Sequence, residues 1–143
     1  AAFKAFQGIA DDGKAGYPLL ARFQQAKLLA KTGNPQGSAD AYQALSGDES
    51  IDKIYRNLAT LLGALQELNT EAPNLEALQK KLQALTADDS RWRFSAREIS
   101  GVIAKQTGDK DKARKLFSTL AEDRTAPQGV RTRAQEMLSI LGK

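Results

Sequence analysis

A three-residue signature recurs along this chain and restricts its fold more than any other feature. Ser38, Tyr42 and Leu45 follow a small-x3-aromatic-x2-aliphatic pattern; Ala113, Phe117 and Leu120 repeat it, and so do Ala2, Phe6 and Ile9. The copies start 36 and 75 residues apart, one and two units of a repeat of 36 to 38 residues. Steps of four and three put all three side chains on one helix face. The small residue lets a neighbouring helix come close, and the aromatic and aliphatic side chains fill the adjoining gap. Matching turns, Thr32-Gly33-Asn34 and Thr107-Gly108-Asp109, precede the later two copies. Seven positions before each turn glycine stands a small residue, Ala26 or Gly101, where a first helix needs one against its partner.

Helical spacing of apolar residues runs through nearly the whole chain, and no stretch alternates as a strand would. Asn34-Pro35 is a capping side chain followed by a proline at the first helical position. Asp109 caps another start, with Asp111 beside the positive end of that helix. Thr125 with Gln128 reads as a capping box, and Gly33, Gly108 and Gly142 as left-handed helix ends. The pattern predicts an all-α chain of about eight helices, near 1–11, 18–32, 35–46, 50–69, 74–86, 90–107, 110–122 and 127–141. Short connections make neighbours antiparallel hairpins. The longest helix has a wide apolar stripe (Ile51, Ile54, Tyr55, Leu58, Leu61, Leu62, Leu65, Leu68). Its opposite strip is Lys53, Arg56, Asn57, Thr60, Ala64 and Glu67.

Composition removes most enzyme chemistry. Among 143 residues there is no cysteine and no histidine, which excludes disulfides, Cys/His zinc sites and Ser-His or Cys-His nucleophile pairs. Phosphate-binding loops and the serine-hydrolase elbow are absent. The carboxylate pairs Asp11/Asp12, Asp88/Asp89 and Glu122/Asp123 fall at helix junctions, where acids cap or solvate. Trp92 is expected on a core stripe with Ala96, Ile99 and Ile103, and Arg93 and Arg97 on another face, solvated or open to an acidic partner. No metal, cofactor or catalytic residue is expected, and no enzyme. Residues 90–143 hold twelve basic and six acidic groups, but solvated helix faces account for that excess, so nucleic acid is disfavoured as a partner.

The repeat resembles the tetratricopeptide repeat, a helix-turn-helix unit of about 34 residues. Gly101, Gly108, Asp109, Ala113 and Phe117 match it best, and Ala26, Gly33, Ser38 and Tyr42 form a second copy. The middle copy is degenerate: Gly63 fits, but Leu75, Gln79 and Leu82 replace the small, aromatic and aliphatic set. The resemblance implies one tetratricopeptide-like domain over 1–143, a right-handed superhelix of antiparallel helix pairs. It comprises the second helix of a truncated repeat (1–11), repeats at 17–48, 50–86 and 90–123, and a capping helix at 127–141. The run Gly16-Tyr17-Pro18-Leu19-Leu20-Ala21-Arg22-Phe23, with Arg56-Asn57-Leu58-Ala59 and Gly129-Val130-Arg131-Thr132-Arg133-Ala134, is similar to one branch. That branch is the periplasmic tetratricopeptide-like domain of the ancillary Sec-translocon subunit and cell-division coordinator proteins of Gram-negative bacteria, here of alphaproteobacterial type.

This similarity implies a membrane-spanning helix upstream of Ala1 and a domain at the periplasmic face of the inner membrane; the chain itself holds no apolar run near the roughly 18 residues of a span. It also implies a protein or peptide partner, among them the Sec translocon or exported chains, or a second copy of the chain. In such stacks the first helix of each pair lines a concave side. The repeat register puts Leu20, Phe23, Lys27 and Lys31 there from the first complete unit, Asn57, Thr60 and Glu67 from the middle one, and Glu98, Val102 and Lys105 from the third. The expected function is that of a noncatalytic scaffold whose mixed, cation-bearing groove takes a peptide segment of acidic character. The alternative is a structural oligomerisation module of an envelope or cell-division complex.

Overall fold

The computed structural model describes residues 16–142. Those residues are all-helical. Seven α-helices run in order: α1 (Gly16–Lys31), α2 (Pro35–Ser46), α3 (Lys53–Glu67), α4 (Leu75–Gln83), α5 (Arg93–Gln106), α6 (Lys110–Glu122) and α7 (Gln128–Leu141), with a 3₁₀ turn, Ala84–Thr86, after α4. The helix expected at 1–11 and the Asp11/Asp12 pair lie outside the described residues. The chain divides into two compact units between Pro73 and Asn74, inside the stretch 50–86 that the sequence reads as one repeat.

In the first unit, α1 packs on α2 and α2 on α3. Between α1 and α2 the chain reverses at Gly33, whose φ of +83° is a left-handed conformation that costs a side-chain-bearing residue but not glycine. Asn34 then starts α2: its side chain accepts from the Gly37 amide at 2.8 Å, and Pro35 follows. Ser38 is fully buried, and its hydroxyl donates to the Ala26 carbonyl oxygen at 2.7 Å. A small side chain on α2 thus lies directly on the α1 backbone. Phe23, Tyr42, Leu45, Leu58 and Leu61 form the core, with the Phe23 and Tyr42 ring centroids 6.1 Å apart. Gly63 gives Tyr42 room, since a Cβ there would lie 3.1 Å from the Tyr42 Cβ. On α3 the expected stripe shifts: Ala64, placed on the opposite strip of polar or small residues, is buried, and Leu65 is 40 % exposed.

The second unit repeats the corner. Gly108 also has φ +83°, and the Asp109 side chain accepts from the Lys112 amide at 3.1 Å to start α6. Ala113, Phe117 and Leu120 are all fully buried. Gly101 on α5 faces the Phe117 ring so closely that a Cβ there would fall 2.7 Å from Phe117 Cζ. Around this contact α5 packs on α6, α6 on α7, and α4 on α5. The α4–α5 packing is partly polar: Gln79 Nε2 donates to the Ser100 carbonyl oxygen at 3.0 Å, and the Ser100 hydroxyl donates back to Gln79 Oε1. Leu78, Leu82 and Leu85 fill the apolar side of that contact.

Four local expectations are corrected in this unit. Trp92 is partly rather than fully buried: it sits at the N-cap of α5, its carbonyl oxygen accepting from the Ala96 amide at 2.9 Å, at the end of the buried stripe of Ala96, Ile99 and Ile103. Arg97 is not solvated: it is 7 % exposed, with Nε donating to the Thr86 carbonyl oxygen at 2.8 Å and Nη2 to Asp88 Oδ1 at 2.7 Å. Thr125 forms no capping box with Gln128. Its amide and hydroxyl both donate to Asp123 Oδ1, bonds that lower the Asp123 carboxyl below its usual range. The residue before α7 is Pro127, which has no side-chain cap. Gly142 ends α7 in a right-handed conformation, φ −72°, so its glycine freedom is not used there.

Candidate partner-binding faces

Helix α1 carries the first set of nominated residues. Lys27 and Lys31 are exposed, and Leu20 is half-buried. Phe23 is fully buried in the core, so it is removed from the binding face. The reason is geometric: Phe23 lies one turn before Ala26 on the side that meets α2, and packing on Tyr42 claims its ring. Exposed apolar surface on α1 comes instead from Tyr17, 78 % exposed, and Leu28, 59 % exposed. Tyr17, Gln24, Leu28 and Lys31 recur at steps of seven, four and three, so they share one face. Repeat register did not nominate Tyr17 or Leu28; their heptad-like spacing with Lys31 was the available signal.

On α3, Asn57, Thr60 and Glu67 are half-buried on one strip. The Thr60 hydroxyl donates to the Arg56 carbonyl oxygen one turn back, at 3.1 Å. Neighbouring Arg56 has a buried Nε without a hydrogen-bond partner among the described residues. Both α1 and α3 pack on α2 within the first unit.

The loop from α2 to α3 is fixed to α1 by charge. Arg22 Nη1 lies 2.8 Å from Asp48 Oδ2, and Asp48 Oδ1 accepts from the Ser50 hydroxyl at 2.6 Å and the Ser50 amide at 3.0 Å. The Ser50 hydroxyl first, then Arg22, pulls the Asp48 carboxyl down to about 2. A folded value below the ordinary carboxylate value of about 3.9 means this contribution to stability is complete above that value and vanishes as pH falls through about 2. Carboxyl-detected NMR is expected to show Asp48 titrating near 2, with the midpoint moving up in Ser50→Ala; an ordinary midpoint in the unsubstituted chain would refute the arrangement.

In the second unit the nominated residues have separate fates. Lys105 is exposed. Val102 is partly buried against the cluster of Ala104, Phe117, Leu120 and Leu141. Glu98 is held by Arg133 of α7 through two bonds, Nε to Oε1 at 2.5 Å and Nη2 to Oε2 at 3.1 Å. This forked pair raises the Arg133 guanidinium above its already high value and ties α5 to α7. Glu98 is therefore an interhelix tie before it is a ligand group. What these faces offer chemically is ammonium charge, amide and hydroxyl hydrogen bonds, and the apolar surface of Tyr17 and Leu28. Among the described residues no helix is long and apolar enough to cross a membrane. No family model, curated protein or solved structure matches the chain.

Proposed function

We propose that this chain is a noncatalytic protein-interaction module of tetratricopeptide-like helical hairpins, stacked as a right-handed superhelix, that binds peptide or protein segments on its first-helix faces. One observation carries the reading: two hairpins 75 residues apart share a corner glycine at φ +83°, an Asn or Asp cap, and a buried small-aromatic-aliphatic triad. Repetition of a packing unit, rather than of a chemical group, is the mark of proteins whose product is a surface. On the α1 side that surface combines Lys27 and Lys31 with exposed Tyr17 and Leu28, a pairing of charge and apolar area suited to an amphipathic acidic segment. By the family resemblance, the module works at the periplasmic face of the inner membrane, tethered by a segment outside this chain. Its partners there are the Sec translocon or exported chains.

A second reading rests on the same exposed Tyr17 and Leu28: apolar area of this kind also serves self-association, as in an oligomerisation module. Photo-cross-linkers placed at Lys31 and, as a control, at exposed Gln135 on α7 separate the two. Adducts to other polypeptides from Lys31 and not from Gln135 are the expected result. Adducts between copies of the chain alone would replace the first reading by the second.

A further inference from the structure

A groove of about 390 Å³, lined by Leu116 as well as by charged and polar side chains, opens in the second unit, away from the nominated faces. Arg97 and Ser100 of α5 line it together with Gln79 of α4 and Lys112, Lys115 and Thr119 of α6. Three of these are cations, and no acidic side chain lines the groove. Arg97 is 7 % exposed, and its bonds to Thr86 and Asp88 occupy Nε and Nη2; Nη1 makes no hydrogen bond among the described residues. A guanidinium fixed at two nitrogens with the third unbonded is preorganised to receive an anion, because little side-chain entropy remains to be lost. Lys112 and Lys115 are exposed and form no salt bridge among the described residues, so their charge adds to that of Arg97. Asp88 offsets part of the Arg97 charge from one side.

We infer that this groove binds an acidic peptide segment, with a glutamate or aspartate carboxylate on Arg97, Lys112 and Lys115. The rest of the lining suits a peptide more than a nucleic acid. No aromatic side chain lines it on which a base would stack. The Ser100 and Thr119 hydroxyls donate within the fold, to Gln79 and to the Lys115 carbonyl oxygen, and so keep oxygen lone pairs for a peptide N–H, while Gln79 keeps its second amide hydrogen for a peptide carbonyl. The groove lies on a different face of α5 from Glu98, Val102 and Lys105: Arg97 and Ser100 are one turn apart, whereas the nominated three follow another stripe. It stands or falls separately from the binding faces above.

Amide NMR of the full chain, titrated with a blocked peptide of three glutamates alternating with leucines, tests the inference. Its glutamine counterpart is the control. Saturable shifts are expected at Gln79, Ser100, Lys115 and Thr119, at least tenfold weaker with the glutamine peptide, and at least tenfold weaker in K112E/K115E. The reversal leaves folding intact, since both side chains are exposed and an acid at 112, in the first turn of α6, favours its dipole. Shifts confined to α1 near Lys27 and Lys31 would overturn this site while leaving the proposed function standing. Equal binding of the glutamine peptide, undiminished binding by K112E/K115E, or larger shifts at the same amides with oligo-dT would each overturn it too.

Discussion

Phe117→Ala is expected to destabilise the second unit by about 3–5 kcal/mol, the cost of emptying a core site of its aromatic ring. Phe117 is fully buried, with Ala113 and Leu120 beside it and Gly101 across the helix interface. Gly101→Ala gives the complementary test. A methyl group there would meet the ring at 2.7 Å, too near for any Cβ, and the ring has no open side into which to move. The overpacking cost of roughly 1–3 kcal/mol outweighs the gain of about 1 kcal/mol in helix propensity. The two substitutions interact: once the ring is gone, the methyl group has space. Phe117→Ala/Gly101→Ala is therefore expected to be no less stable than Phe117→Ala alone, whereas additivity would make it worse. Urea unfolding of the four proteins measures this, and an additive double variant would show that Gly101 is small for another reason.

The second large effect belongs to Phe23. Its ring is fully buried against Tyr42 in the first unit, so Phe23→Ala should lose about 3–5 kcal/mol, with part of the loss from the ring pair. A residue of a binding face behaves otherwise: truncating an exposed side chain changes stability by about 0.5 kcal/mol or less. Below the variant's unfolding transition, cross-linking from Lys31 is expected to persist, because the face it reports is carried by Lys27, Lys31, Tyr17 and Leu28. A stable Phe23→Ala protein that has lost those adducts would return Phe23 to the partner surface.

These two positions mark the division between what was legible in the amino-acid sequence and what was not. Signals that act within one turn were readable: Asn34 and Asp109 cap the helices they were expected to start, and Gly33 and Gly108 take the left-handed corner. The repeated triads were readable because close approach of two helices demands a small residue at Ser38 or Ala113 and a large one four positions on. Faces were harder. Phe23 and Lys27 are one turn apart, and spacing alone does not say on which side α2 will lie. Arg97 looks like any solvated arginine until the turn at Thr86 and Asp88 folds over it, a contact made across eleven and nine residues. The groove around Arg97 depends on that fold-back and on side chains from three helices, so no local pattern announces it. Thr125 failed as a cap because the helix begins later, at Gln128 with Pro127 in the cap position, which leaves Thr125 two residues short of it.

The proposed module rests on the two corners being copies of one device, and alanine of either hand at Gly33 and Gly108 tests that most directly. Both glycines have φ +83° and open space around the position of a Cβ, so backbone conformation alone decides the effect. L-alanine at either site should cost about 1 kcal/mol, because a left-handed conformation is strained for an L-residue. D-alanine, placed by semisynthesis, should stabilise either site by about 0.4–1 kcal/mol through the unfolded state. Opposite signs for the two hands, alike at both positions, are the expected result. A corner that tolerates L-alanine, or that gains nothing from D-alanine, would contradict the shared left-handed turn and the repeat built on it.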